Sequence, residues 1–95
     1  MQPIAPLLSI RPASVDDVPL IRQLIAELAE YERLADAAVA TDDDLRAQLF
    51  GAQPAAEVLI GEVDGEAAGF ALFFHNFSTF LGKRGLYLED LFVRP

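Results

Sequence analysis

The sequence predicts an α/β domain in which one strand and two helices precede a largely antiparallel meander of three strands. Three observations lead to this fold class. Helix-start signals occur twice in the first half of the chain, an Asp-Gly pair typical of tight hairpins stands at residues 64 and 65, and apolar runs of strand length flank that pair and end the chain. The 95 residues correspond to one domain in size.

The composition is that of an acidic, folded protein. Fifteen Asp and Glu residues against seven Lys and Arg give a formal net charge of −8, and 53% of the residues are hydrophobic. A disordered segment with this charge would hold far fewer apolar residues. A nucleic-acid binder needs a basic stripe, and the only adjacent basic pair is Lys83-Arg84. We therefore expect no nucleic-acid partner and favour a cationic one.

The residue types also restrict the location and the metal chemistry. The chain has no cysteine and one histidine, which excludes disulfides, thiolate zinc sites and multi-histidine metal sites, so we expect no metal. Met1 to Ile10 lacks the basic region and apolar run of a signal peptide, and we interpret it as a short leader into the first strand. Ala67 to Leu81, the most apolar stretch, is shorter than the roughly 20 residues that span a bilayer. We expect a cytoplasmic location and no membrane partner.

The first strand and the first helix have clear sequence signals. Leu7 to Arg11 is a short apolar run that Pro12 closes, because proline removes a donor from a strand. Ser14 to Asp17 then resembles a capping box with acids in the first turn. The apolar residues that follow are spaced three and four apart: Val18, Ile21, Leu24, Ile25 and Leu28. This predicts a helix from about Val15 to about Arg33, packed on a sheet.

The second helix begins with the same device. Thr41 can cap it, Asp42 to Asp44 suit the positive end of a helix, and Gly51 marks its expected end. Three adjacent carboxylates also suggest a calcium loop, but no glycine and distal glutamate follow at the spacing of an EF-hand. Helix capping is therefore the interpretation that we prefer.

Three strands complete the predicted sheet. Glu57 to Val63 is the first, and Asp64-Gly65 turns it into a partner strand at about Ala67 to Phe74. His75 to Gly82 is predicted as a loop rich in phenylalanine. Gly85 to Val93 is the last strand.

Two carboxylates interrupt that last strand. Leu86 to Val93 is apolar at both parities, which predicts a central strand covered on both faces, yet Glu89 and Asp90 lie inside it. Alternation places them on opposite faces unless a bulge intervenes. Burial would raise their proton affinity, as a general base that acts on an ammonium group requires. The alternative is that backbone N–H groups or an arginine of the first helix satisfy both side chains, and spacing leaves both interpretations open.

Several segments, in a fixed order, carry a family resemblance. They are Ile10 to Ala13, Glu27 to Glu32, Gly69 to Ala71, and Leu81 to Lys83 followed by Leu86 to Val93. Together they resemble the diamine (spermidine/spermine-type) N-acetyltransferases of the GNAT superfamily. The resemblance runs from about Ile10 to Pro95 and implies acetyl-CoA-dependent transfer to a primary amine of a polyamine or similar small cation, in a homodimer.

The resemblance implies roles for the last strand. Glu89 stands at the position of the carboxylate that deprotonates the amine, and Asp90 beside it is a second acidic, substrate-binding contact. The cofactor-binding positions are the strand end, where backbone groups hold the pantetheine arm and polarise the thioester carbonyl: Leu91, Phe92 and Val93.

The remaining implied substrate contacts lie earlier in the chain. Tyr31 and Glu32 match the pair that lines the polyamine cleft, and Phe80 stands where eukaryotic members have a tryptophan. The family's Gly-rich pyrophosphate loop and its later tyrosine are not in the sequence. We interpret residues 1–95 as the N-terminal part of a single GNAT domain, inactive alone. The alternative, from another class, is a catalytically incompetent acidic interaction or dimerisation module made of half the fold.

Overall fold

A computed structural model describes residues 7–95 as a four-stranded sheet with two α-helices on one face. The elements are β1 (Leu8–Pro12), α1 (Val18–Tyr31), α2 (Asp42–Phe50), β2 (Glu57–Val63), β3 (Glu66–Ser78) and β4 (Lys83–Val93). The strand order is β1-β2-β3-β4, with every neighbouring pair antiparallel. The predicted α/β meander is confirmed, while Met1 to Pro6 of the predicted leader lie outside the described residues.

Both helices begin at the predicted caps. The backbone N–H of Ser14 donates to the Asp17 carboxylate at 2.8 Å, ahead of a short 3-10 turn that leads into α1. At α2, the Asp44 N–H donates to Thr41 Oγ1 at 3.1 Å and the Thr41 N–H donates back to Asp44 at 2.9 Å. This reciprocal pair satisfies donors that the first turn leaves free, which confirms the predicted capping role of Thr41 and gives Asp44 a part in it.

The core lies between the helices and one face of the sheet. Its buried members are Val18, Ile21 and Leu24 of α1, Leu45 and Leu49 of α2, Val58 and Ile60 of β2, Phe70 of β3 and Phe92 of β4. The three α1 residues are fully buried, and each such side chain contributes roughly 1.5–3 kcal/mol by leaving water. The predicted apolar stripe of α1 is therefore the face that fixes this helix on the sheet.

Strand β3 is longer than its sequence pattern indicated. The prediction of a loop from His75 to Gly82 is wrong for its first part, because β3 continues to Ser78, which pairs with Lys83. The loop is confined to residues 79–82, where Gly82 has a φ of 65° and its N–H donates to Ser78 O at 2.8 Å. Polar residues are tolerated here because this end of the hairpin is largely exposed to water.

Strand β4 carries a β-bulge at Glu89. Leu88 pairs with Phe73 and Asp90 pairs with Leu72, so Glu89 is one extra residue without a partner on β3. The side-chain parity of the strand changes at this point. One face holds Leu86, Leu88, Leu91 and Val93, and the other holds Tyr87, Asp90 and Phe92.

The parity change corrects the prediction that β4 is covered on both faces. In the described sheet β4 is an edge strand, and on its aliphatic face Leu91 is 64% exposed and Val93 is 68% exposed. The bulge brings apolar residues of both parities onto one face. A strand that looks apolar on two sides in the sequence is therefore apolar chiefly on the side that the helices leave uncovered.

That uncovered sheet face is apolar from β1 to β4. Leu8 and Ile10 flank one side of a shallow cavity of about 280 Å³, Leu91 and Val93 flank the other, and Gly69 lies between them. Within residues 7–95, none of the helices combines the length and the hydropathy needed to cross a lipid bilayer.

Candidate active site

The two carboxylates of β4 differ in their surroundings. Glu89, at the bulge, is exposed, whereas Asp90 is half-buried on the helix-covered face opposite Leu72. Burial raises the pKa of Asp90, and the negative charges of Glu89 and Glu32 raise it further. The three carboxylates therefore form one acidic group, in which Glu32 comes from the end of α1.

The end of α1 presents two polar side chains. Tyr31 is the last helical residue and is 78% exposed. The N–H of Glu32 donates to Leu28 O at 3.0 Å, and Arg33 follows with a φ of 60°. This left-handed residue ends the helix, which stops two residues before the predicted boundary and leaves Tyr31 and Glu32 in its last turn.

A cavity joins the end of α1 to the end of β4. It measures about 450 Å³ and is lined by Leu28, Tyr31, Glu32, Leu91, Phe92, Val93 and Pro95. The structure thus brings together two sets of residues that the sequence analysis assigned to different ligands. Glu32 is the acidic side chain of its lining, while Glu89 and Asp90 precede the three lining residues of β4 in the chain.

Strand β4 also offers backbone donors at its free edge. The N–H of Arg94 donates to Ala68 O at 2.7 Å, so it points toward β3. Because N–H direction alternates along an antiparallel strand, the N–H groups of Val93 and Leu91 point away from β3. These donors fit the amide-containing arm of a pantetheine group and the carbonyl of a thioester. Within residues 7–95 no cluster of His, Asp and Glu is arranged to hold a metal ion.

Phe80 lies far from this cavity within one chain. It is 99% exposed at the tip of the β3–β4 hairpin. The six residue-to-residue steps from Lys83 to Glu89 span about 20 Å at the usual rise of a strand. The structure therefore does not bring Phe80 to the carboxylates of its own chain, and its role as an aromatic wall stays a prediction.

The structural interpretation of the two carboxylates finds no support in the described part of the chain. Arg22, the arginine on α1, lies 3.5 Å from Asp42 instead. No hydrogen bond or ion pair of residues 7–95 satisfies the side chains of Glu89 and Asp90. Within this part of the chain, both carboxylates can therefore bind a cation or accept a proton.

Sequence reasoning missed one pair of residues beside the cavity. Arg94 Nε and Nη2 each donate to the carboxylate of Glu27 at 2.8 Å, and Nη1 donates to Ala67 O at 2.9 Å. The signal available in the sequence was an arginine directly after a strand and a glutamate on the polar face of α1. Nothing in the spacing joins positions 27 and 94.

The resemblance to the GNAT N-acetyltransferases is confirmed by the curated proteins that the chain matches, and the antiparallel sheet with two helices on one face is the fold of its structural neighbours. The chain is 39% identical over 94 residues to thialysine N-epsilon-acetyltransferase of Bos taurus, covering 90% of this chain and 55% of that protein. It is 38% identical over 91 residues to spermidine/spermine N(1)-acetyltransferase-like protein 1 of Homo sapiens, covering 88% of this chain and 13% of that protein.

The fold is also found in solved structures. The crystal structure of a possible acetyltransferase from Clostridium difficile 630 superposes with a TM-score of 0.72 at 17% identity, covering 93% of this chain and 58% of that one. The chain spans about half the length of the curated thialysine acetyltransferase that it matches. No protein-family model matches the chain.

Proposed function

We propose that the protein containing this chain transfers the acetyl group of acetyl-CoA to a primary amine of a polyamine or a similar small cationic acceptor. The observation that carries the proposal is the cavity in which Tyr31 and Glu32 face Leu91 to Val93. The names of the relatives, which include thialysine and L-ornithine acetyltransferases, support an amine acceptor.

The acidic group suits an ammonium substrate. An alkylammonium ion has a pKa near 10, so it must lose a proton before its nitrogen can attack. Glu32 and Asp90 attract the cation, and Glu89 accepts its proton, directly or through one water. The exposure of Glu89 at the bulge leaves its carboxylate open to that water.

The free edge of β4 suits the other substrate. Acetyl-CoA, when bound, supplies the acetyl group as a thioester. The outward N–H groups of Leu91 and Val93 hold and polarise a carbonyl at this edge, which favours the negative charge that develops on its oxygen. In this proposal the residues of β4 contact the acetyl end of the thioester, and no residue of the chain is assigned to its pyrophosphate or to the leaving thiolate.

The test is an assay of acetyl transfer by the protein as the gene encodes it. The purified protein, given acetyl-CoA and a panel of diamines, thialysine, ornithine and aminoglycosides, should release thiol with at least one small amine. Glu89→Gln should lower kcat/KM by about a hundredfold, the usual scale of general-base catalysis. Glu30→Gln, at an exposed carboxylate on α1, is the matched control and should keep full activity. Absence of thiol release with every acceptor would contradict the proposal.

A second candidate function has one observation in its favour. The apolar, uncovered sheet face and the free edge of β4 suit an acidic interaction or dimerisation module without catalysis. A stable dimer together with no acetyl transfer would favour this module. A homodimer that transfers acetyl groups would instead agree with the partner implied by the family resemblance.

A further inference from the structure

Two arginine forks hold α1 on the sheet, one at each end. At its start, Arg11 of β1 donates to both oxygens of Asp17, at 2.7 and 2.8 Å. At its end, Arg94 donates to both oxygens of Glu27, at 2.8 Å each. Both forks are half-buried, and a bidentate arginine fixes direction as well as distance.

Only the second fork borders the candidate active site. Glu27 lies one helical turn before Tyr31, so the two side chains lie on the same side of α1. Arg94 directly follows Val93, which ends β4. The fork therefore connects the helix that carries one wall of the 450 Å³ cavity to the strand that forms the other wall.

Further contacts make this connection rigid. The Arg94 side chain donates to Ala67 O at 2.9 Å and its backbone N–H donates to Ala68 O at 2.7 Å, so the residue is held on β3 as well. On the helix, Gln23 Nε2 donates to Glu27 at 3.1 Å. Arg94 thus makes four hydrogen bonds that fix its position, and its two chain neighbours, Val93 and Pro95, both line the cavity.

We infer that Arg94, through its fork with Glu27, is a positioning residue that sets the distance between the acceptor wall and the thioester wall of the cavity. The inference rests on the proposed function, because it assigns those two walls to the two substrates. Displacement of reacting groups by about 1 Å can cost a hundredfold in rate, so loosening this fork is expected to affect transfer more than folding.

A fluorine NMR experiment on the chain of 95 residues tests the geometry without any activity. The chain has two tyrosines, and 3-fluorotyrosine therefore gives one signal for Tyr31 on the cavity wall and one for Tyr87, which packs on Phe74 with ring centroids 5.0 Å apart. Arg94→Lys keeps the charge but removes the fork, and should shift or broaden the Tyr31 signal alone.

Matched variants complete that experiment. Glu27→Gln keeps the side-chain shape and should move the Tyr31 signal in the same direction as Arg94→Lys. Arg11→Lys makes the same change at the other fork and should leave the Tyr31 and Tyr87 signals in place. If the Tyr31 signal is unchanged in both Arg94→Lys and Glu27→Gln, the fork does not position this wall and the inference is overturned.

Kinetics of the full gene product test the effect on transfer. Arg94→Lys should lower kcat/KM for the amine about tenfold or more, while Arg11→Lys stays within about twofold of the wild type at the same temperature. Equal losses in the two variants would mean a merely structural role and would overturn the inference, although acetyl transfer by the wild type would still support the proposed function. A wild type without transfer would contradict the proposed function. The fluorine signals alone would then decide whether the fork fixes the position of the wall that carries Tyr31.

Discussion

At the scale of single residues, the carboxylates divide by the charge that surrounds them. Asp17 and Glu27 each accept two hydrogen bonds from an arginine, which lowers the pKa of both side chains. Asp90 has the opposite environment, since burial, Glu89 and Glu32 all raise its pKa. Paired carboxylates stabilise the fold, and the like-charged group is the part of the molecule that gains from a cationic ligand.

Asp17→Asn should destabilise the protein in a pH-dependent way. The folded-state pKa of Asp17 is lowered to about 2, below the unfolded value near 3.9, so its stabilisation is complete above about pH 4 and is lost as the pH falls toward 2. We expect the variant to lose about 1–2 kcal/mol of unfolding free energy at pH 7. Urea denaturation of both proteins from pH 7 to pH 2 measures the difference, and a loss that stays constant over this range would contradict the role of the ion pair.

Asp90→Asn should stabilise the folded protein at neutral pH. A raised folded-state pKa means that the unfolded chain ionises first, so stability falls as the pH rises through the unfolded value and stays lower at pH 7. Removing the charge abolishes this cost and weakens binding of a cationic acceptor, a trade that is common at functional sites. Thermal unfolding at pH 7 and pH 3.5 checks the sign. Asp36→Asn, at an exposed position, is the control and should leave the thermal stability unchanged at both pH values. An Asp90→Asn protein less stable than the wild type at pH 7 would refute the expectation.

At the scale of elements, the close approach of β3 and β4 fixes the position of the end of β4, which lines the candidate site. Gly69 faces Val93 across the two strands, and a Cβ at this glycine would collide with the carbonyl oxygen of Phe92 and come within 3.0 Å of Val93 Cα. A side chain at position 69 would therefore push away the strand end that carries the outward N–H groups.

Gly69→Ala should accordingly cost about 1–3 kcal/mol of unfolding free energy, as overpacking usually does, and should reduce acetyl transfer. Gly61→Ala is the matched control, because its Cβ would meet only the Gly69 carbonyl oxygen at 3.9 Å, an ordinary contact. That control should lose no more than about 0.5 kcal/mol. Chemical denaturation of the two variants measures both losses of unfolding free energy. Equal losses would show that β4 does not restrict the size of the side chain at position 69.

Much of the element order follows from local chemistry in the sequence. Both helix starts are set by caps, and the Asp64-Gly65 turn adopts the positive φ values, 52° and 83°, that its residues favour. The continuation of β3 beyond His75 could not be predicted, because it depends on pairing with β4 and not on its own polar sequence. The bulge at Glu89 is likewise a property of two strands together.

The candidate site was predictable only where neighbours in the chain stay neighbours in space. Tyr31 with Glu32, and Leu91 to Val93, were proposed as two groups of chain neighbours, and the cavity is lined by all five residues. Phe80 was assigned to the same region by resemblance, yet it stands at the far end of the hairpin. Arg94 was missed because its partner is 67 positions away and no periodicity connects such residues.

At the scale of the whole molecule, the two faces of the sheet are unlike. One face packs against α1 and α2 over Ile60, Phe70 and Phe92, while the other exposes Leu8, Ile10, Leu91 and Val93. Contiguous apolar surface of this kind marks an interaction site or an aggregation risk in a soluble domain. The net charge of −8 opposes close approach of two copies and works against the association that the apolar face favours.

We expect the chain of 95 residues to associate through this uncovered face. The double variant Ile10→Lys with Leu91→Lys should have the mass of the 10.4 kDa monomer by light scattering, at concentrations where the wild type is larger. Leu34→Lys, at an exposed leucine after α1, is the control and should behave as the wild type. A wild-type chain that stays monomeric at all concentrations would contradict this expectation and the interaction-module function.

The bulge in β4 determines which single-residue deletions leave the side chains of the strand on their faces. Glu89 is the extra residue between two regular stretches of pairing, so deleting it would join Leu88 to Asp90 in an unbroken ladder and keep every other side chain on its face. Deleting any residue from 91 to 93 would instead reverse the faces of the residues between the bulge and the deletion. The position on which the proposed proton transfer depends is thus the one that the sheet can most easily lose, and a descendant could abandon the chemistry by a single in-frame deletion while it kept its fold.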